Sequence, residues 1–304
     1  MTLTATLLIL TSAFFHAGWN LVSKRSSPSL AFFALAATSG AVVMLPNLVF
    51  HRTALGKFPT ILWGWVILTG MSQAVYLIGL AGAYRRGDIS FAYPMARALP
   101  VLFVALITIM LGNGDAISWL GYSGMALIVI GCLVLPLITF HEFKLNEYFS
   151  PVYLFALLAA VGTTGYTMID DVGLHFMRET PSVSLGNRSI TLIYIALQTT
   201  STAVFAWLVT VCYRPERETL RQIAGDRSIL KTALITGVVI MATYGLALAA
   251  MAFVTNVSYV AAFRQLSIPI GAILGMTLQG EPRHRPKIIG ITVILAGLIL
   301  VGIG

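Results

Sequence analysis

The sequence predicts an all-α polytopic membrane protein whose ten transmembrane helices form two inverted five-helix repeats. Three observations predict it: apolar runs that recur from end to end, a sidedness in the loop charges, and an internal repeat with an odd number of spans. Of the 304 residues, 58% are hydrophobic and only 10% are charged, far from the balance of a soluble domain. The apolar runs fall at 1–23, 29–50, 59–84, 89–111, 116–140, 149–170, 189–213, 232–255, 257–280 and 287–304. Each is long enough to cross ~30 Å of hydrocarbon as a helix. The longest connections, 172–188 and 214–231, are too short to fold as soluble domains, so function is expected within the membrane.

The N-terminal "MTLTATLLILTSAFFHAGW" is as apolar as a signal peptide, but its first cations, Lys24 and Arg25, follow it. It is therefore expected to be retained as the first helix. Cys132 and Cys212 have neither metal-ligand nor paired spacing and read as packing residues.

The net charge of +8 is explained by a membrane better than by nucleic acid. Connections after spans 1, 3, 5, 7 and 9 carry Lys24, Arg25, Arg85, Arg86, Lys144, Arg214, Arg217, Arg221, Arg227, Lys231, Arg283, Arg285 and Lys287. Connections on the other side carry only Arg52, Lys57, Arg178 and Arg188. Thirteen against four puts the first set in the cytoplasm and both termini on the outer side. Arg97 and Arg264 remain, each inside a span.

Those two arginines mark the repeat. "YLIGLAGAYRRGDISFAYPMARALPV" from Tyr76 parallels "YGLALAAMAFVTNVSYVAAFRQLSIPI" from Tyr244: Tyr76 falls on Tyr244, Ser90 on Ser258 and, with a slip of one residue, Arg97 on Arg264. Farther on, Gly124 falls on Gly290 and Gly131 on Gly297, and "AGWN" at 17–20 is echoed by "TGYT" at 164–167. The repeats are taken as 1–147 and 148–304. Five spans per unit make the second copy enter from the opposite side, and equivalent loops swap their charge accordingly. Inverted repeats are a recurrent plan of secondary transporters, with the site at the repeat interface near mid-membrane.

Arg97 and Arg264 lie ~13 Å inside their helices at 1.5 Å per residue, too deep to snorkel easily. Each either pins its helix to a neighbour through carbonyl bonds or meets a solute in a polar interior. Pro94, Pro100 and Pro269 free backbone carbonyls in the same two spans and are candidate hinges. In span 1, Ser12, His16 and Asn20 share one face beside Trp19, and His16 either carries a proton or holds one tautomer. Span 6 closes on "GYTMIDD", where Asp170 either pairs with an arginine, takes a proton or ends the helix in solvent. Gln73, Tyr76, Tyr93, Tyr166, Tyr244 and Gln265 complete the candidate binding set, with interfacial anchoring or helix tying as their plainer roles. Gly124 and Gly131 read as close helix contacts. No catalytic or metal-ligating constellation is present and no cofactor is implied, so an enzyme is not expected.

All six glutamates, 142, 147, 179, 216, 218 and 281, fall in the connections. No span then offers the buried glutamate a lipophilic cation would need, and the deep charges are positive. A zwitterionic or carboxylate-bearing small solute is the expected substrate, with Asp170 available for an amino group. Efflux of hydrophobic or cationic toxins is the alternative. The expected surroundings are a lipid bilayer, with no nucleic acid; the sequence leaves the oligomeric state open.

"HAGWN" with Lys24, "GDISFAYPMARALPV", its echo "VSYVAAFRQLSIPIGAILG" and the closing "GITVILAGLILVG" resemble the EamA branch of the drug/metabolite transporter superfamily, over nearly the whole chain. The resemblance implies a bacterial inner-membrane exporter of amino acids or similar metabolites, working by alternating access. It also implies that spans 1, 3, 4, 6, 8 and 9 line a central cavity.

Overall fold

A computed structural model of the chain describes residues 2–26, 29–86, 89–112, 114, 117–134, 137, 139–140, 150–181, 183–255, 257–278 and 283–303. Among these, the side chains at 21, 23–25, 89–95, 257–258, 261, 272, 275 and 278 are not described. The described elements are helical, with no strand. They are α1 (Leu3–Arg25), α2 (Leu30–Phe50), α3 (Arg52–Leu55), α4 (Thr60–Arg86), α5 (Ile89–Met110), α6 (Trp119–Val134) and α7 (Pro151–Arg178). After them come α8 (Asn187–Cys212), α9 (Arg214–Gly225), α10 (Arg227–Met251), α11 (Val257–Phe263), a 3-10 turn (Arg264–Leu266), α12 (Ser267–Leu278) and α13 (Arg285–Ile303).

Six of these, α2, α4, α7, α8, α10 and α13, are long and apolar enough to cross a membrane. Their outward faces are apolar: Val42, Ile67, Leu154, Leu208 and Ile299 are all more than 45% exposed. Such a belt is stable only when something other than water covers it, as a bilayer does.

Local chemistry starts the helices where the sequence allows. The Ser29 hydroxyl accepts from Phe32 N at 3.1 Å and opens α2. Asp226 accepts from Ser228 N at 2.8 Å and Ile229 N at 3.1 Å and opens α10. Pro151 occupies the first turn of α7, where its missing N–H costs nothing.

Two departures from the sequence reading matter for function. Span 6 does not end at its acidic pair: α7 runs on to Arg178, burying Leu174 and Met177. Asp170 is therefore inside a helix and 0% exposed, not a solvent-facing terminus. The hydropathy falls at the two acids, but the apolar stripe continues with helical period beyond them. The connection 214–231 is likewise helical as α9, a polar helix that buries only Glu216 and Ile223. Glu216, read as a loop carboxylate, is 3% exposed. Glu142, Glu147 and Glu281 lie outside the described residues.

Helix α4 packs along α7 and α6 along α13, while α2 meets α8 and both α1 and α2 meet α10. Two apolar cores result. The larger joins α1, α2, α4, α7, α8 and α10 and takes in Ala96 and Val104 of α5 and Val260 of α11, and the smaller joins α5, α6, α11, α12 and α13 around Met125, Ile128, Ile268 and Ile294. Cys132 is buried in the smaller core, Cys212 is exposed, and both are free.

Glycines let backbones meet at these contacts. A Cβ on Gly124 would come within 2.5 Å of the Gly297 carbonyl oxygen, and one on Gly131 within 2.8 Å of the Gly290 carbonyl oxygen. The tightest approach is Gly237 on α10, where a Cβ would lie 1.8 Å from the Ala36 carbonyl oxygen. Gly237→Ala is therefore expected to force α2 and α10 apart, at a cost of about 1–3 kcal/mol. A lower melting temperature in detergent is the readout, and an unchanged one contradicts the contact.

The proline-bearing spans differ. Helix α5 runs unbroken through Pro94 and Pro100. The span aligned with it in sequence breaks at Arg264–Leu266 into a 3-10 turn. Pro269 explains the break: it has no N–H for the Gln265 carbonyl and its ring crowds that oxygen.

Candidate functional site

The larger core holds a partly open cavity. Helix α1 contributes His16 and Trp19, α4 contributes Gln73, Tyr76 and Leu77, and α7 contributes Tyr166. From the other side, α10 contributes Gly237, Ile240, Met241, Thr243 and Tyr244, and the 3-10 turn contributes Arg264. Seven of the candidate residues are thus gathered on one wall system: His16, Trp19, Gln73, Tyr76, Tyr166, Tyr244 and Arg264.

Helices α2 and α8 also line it, through Phe33, Ala36 and Ala37 and through Gln198, Thr199 and Thr202. The sequence reading missed them. The signal was there in "QTTST" at 198–202, a run of polar groups in the middle of an apolar span, where each needs a partner or a cavity. Span 4 supplies no lining residue among those described; α5 packs chiefly against α7 and also against α6.

Arg264, 8% exposed, is the one charged side chain among the described lining residues. Aromatic faces hold it. Its Cζ sits 4.9 Å from the Tyr244 ring centroid and 5.9 Å from that of Tyr166, and an Nη donates to the Tyr166 hydroxyl at 3.5 Å. Tyr76, Tyr166 and Tyr244 form an edge-to-face series with centroids 5.9 and 5.3 Å apart. Ring quadrupoles stabilise the guanidinium without neutralising it, and among the described residues no carboxylate forms an ion pair with Arg264. Its charge is available to a ligand.

His16 is fixed by its neighbours. Trp19 Nε1 donates to His16 Nδ1 at 3.2 Å, with the rings edge to face at 4.8 Å, and Asn20 Nδ2 donates to the His16 carbonyl at 2.8 Å. An indole N–H only donates, so Nδ1 must be unprotonated and the neutral ring carries its hydrogen on Nε2. That Nε2 is buried with no partner among the described residues, an unused donor in the cavity wall. A nitrogen NMR spectrum of labelled protein is expected to show His16 as the Nε2–H tautomer at neutral pH. Trp19→Phe should release it into a mixture of tautomers; a mixture already present in the unmodified protein contradicts the assignment.

The remaining candidates lie outside the cavity lining. Arg97, 3% exposed, donates through Nη2 to Ser267 Oγ at 3.0 Å and to the Arg264 carbonyl at 3.4 Å. It thereby ties α5 to the broken span, the architectural alternative for a deep arginine. Gln265 is buried at 3% exposure and Pro269 is buried beside it. Asn20 is half-buried on α1, and Pro100 is buried in α5. The side chains of Tyr93 and Pro94 lie outside the described ones.

Asp170 stands behind the cavity, not in its lining. Its Oδ1 accepts from the Thr69 hydroxyl at 2.5 Å and from the Tyr194 hydroxyl at 2.7 Å, and its Oδ2 accepts from the Tyr244 hydroxyl. Three hydroxyls from α4, α8 and α10 thus satisfy a carboxyl group on α7, and Tyr244 separates it from the cavity.

A second carboxylate joins the helices at one end of the bundle. Glu216 Oε1 pairs with Arg85 Nη1 at 2.6 Å, and its Oε2 accepts from Ala31 N at 2.9 Å in the first turn of α2. Negative charge near a helix N-terminus is favourable. One side chain thereby ties α9 to the end of α4 and the start of α2.

No family model and no curated protein matches the chain. A solved structure described only as a crystal structure of a protein aligns with it at a TM-score of 0.71, over 100% of this chain and 98% of its own, with 16% identity. That is a likeness of fold.

Proposed function

We propose that the protein is a multi-pass secondary transporter of a bacterial inner membrane, resembling the EamA branch of the drug/metabolite transporters. Two inverted repeats, 1–147 and 148–304, rock about a central cavity and pass a small carboxylate-bearing or zwitterionic solute outward by alternating access. Export and amino acids as the solute class follow from the resemblance.

The contact pattern supports the inverted repeat. Under the sequence alignment Gly124 corresponds to Gly290 and Gly131 to Gly297. A twofold axis then turns the contact of Gly124 with Gly297 into one of Gly290 with Gly131, and both occur. The packing of α4 on α7 likewise turns into that of α10 on α1. The loop charges support a topology with both termini on the periplasmic side.

The observation that carries the substrate reading is Arg264, a cation seated on two tyrosines, with no ion pair among the described residues, in a cavity whose described lining holds no carboxylate. His16, also in the lining, has an Nε2 hydrogen unpaired among the described residues. Together they suit a carboxylate, while the rings of Trp19, Phe33 and Tyr76 suit an apolar side chain. Since Asp170 lies behind Tyr244, an amino group on the solute would meet Gln73, Gln198, Thr199 and the tyrosine faces instead.

The test is flux into liposomes of a labelled amino-acid panel against tetraphenylphosphonium. Saturable amino-acid flux is expected. Movement of the lipophilic cation without amino-acid flux overturns the reading in favour of toxin efflux.

A further inference from the structure

The cavity reading leaves Asp170 unused, although it is the carboxyl group joined most directly to the site. It is 0% exposed, forms no ion pair among the described residues, and accepts from three hydroxyls. Carboxyl groups in such settings change protonation when the local charge changes. The groups around it come from each packed element: Thr69 from α4, Tyr194 from α8 and Tyr244 from α10, with Arg264 as the cation in electrostatic reach. On α7 itself, Asp171 follows and is offset by His175 and Arg178. Arg97 on the packed helix α5 acts electrostatically on His16 and Cys132. The unit therefore has one cation and one titratable carboxyl group with a tyrosine between them: guanidinium over ring, ring hydroxyl to carboxylate.

We infer that Asp170 is a proton-binding site coupled through Tyr244 to the solute held at Arg264, so that binding of the solute and binding of the proton favour each other. This rests on the reading of the cavity as a carboxylate-binding transport site. With the cavity empty, the Arg264 field offsets an ionised Asp170. A bound carboxylate takes up that field and places two anions about one cation, and protonation of Asp170 removes the excess charge. The hydroxyl of Tyr244 provides the path. Its oxygen takes a proton from cavity water as its own hydrogen passes to Asp170 Oδ2, leaving a neutral tyrosine, a carboxylic acid and one proton fewer in solution. Reversal returns the proton to whichever side the cavity then faces. His16 does not serve this purpose, because Trp19 holds its Nδ1 as an acceptor.

The experiment is pH-difference infrared spectroscopy on purified protein, with and without L-phenylalanine, following the carbonyl stretch of protonated carboxyl groups. The expected result is one titrating band that Asp170→Asn lacks, its midpoint moving to higher pH by about one unit on adding L-phenylalanine, a tenfold change in proton affinity. Reciprocity then requires L-phenylalanine to bind about tenfold more weakly above the midpoint than below it, and to lose that dependence in Asp170→Asn. Should that variant fail to insert, Asp170→Glu carries the assignment by displacing the band. Absence of the band, or a midpoint indifferent to L-phenylalanine, overturns the inference. Failure of the transport reading shows separately, as no counterflow of L-phenylalanine in liposomes of unmodified protein, whereas the ligand-free band still decides whether Asp170 takes a proton.

Discussion

Arg264→Gln is expected to weaken the apparent affinity for L-phenylalanine by roughly 10- to 150-fold, the equivalent of one charge-assisted hydrogen bond of about 1.5–3 kcal/mol. Glutamine keeps a donor and most of the volume, so the packing against Tyr166 and Tyr244 survives while the charge does not. Arg264→Lys should recover only part of the loss. An ammonium cannot reproduce the contact of the broad guanidinium with two rings, whose centroids lie 4.9 and 5.9 Å from its Cζ. The measurement is the concentration dependence of uptake into liposomes, corrected for the amount of inserted protein. An apparent KM for Arg264→Gln within twofold of the unmodified protein contradicts a charged cavity.

Glu216→Ala is expected to loosen the tie among α9, α4 and α2. The Ala31 N–H loses a charged acceptor at 2.9 Å, a loss of about 1.5–3 kcal/mol. Hydrogen exchange in the first turn of α2 should therefore accelerate roughly 10- to 150-fold. The pairing with Arg85 adds little, because that arginine is 35% exposed and water can take over its solvation. In the proposed topology this end of the bundle faces the cytoplasm, and alternating access requires the tie to part as the cavity opens inward. Exchange that stays at the unmodified rate shows that Glu216 holds nothing closed.

The sequence made the apolar spans plain because hydrophobic length alone marks a membrane helix. It also singled out Arg264 and Tyr244, since the repeat places each against a counterpart in the first half. Three things were hidden, each for a physical reason. Helix α9 is polar with a helical period, so hydropathy reads it as a connection, and with it went the burial of Glu216. Asp170 sits where the mean hydropathy drops, yet helix α7 continues because only one face past that point needs to be apolar. Its partners Thr69, Tyr194 and Tyr244 come from three other helices, a convergence no local pattern announces.

The arginine pair shows the limit of repeat symmetry. Arg97 and Arg264 align with one slip, but only the second lines the cavity. Pro269 breaks its span at the Arg264 turn, whereas α5 stays continuous through both of its prolines. The guanidinium freed by the break turns onto the tyrosines; the other binds Ser267 and a backbone carbonyl.

The most direct test of the account compares two solutes that differ by one group, L-phenylalanine and phenethylamine, in counterflow from liposomes. The first carries the carboxylate that the proposed site would hold at Arg264, and the second keeps the ring and the ammonium without it. Saturable counterflow of L-phenylalanine, lost in Arg264→Gln, with none for phenethylamine, is the predicted result. Equal or greater counterflow of phenethylamine would contradict a cavity built around a carboxylate.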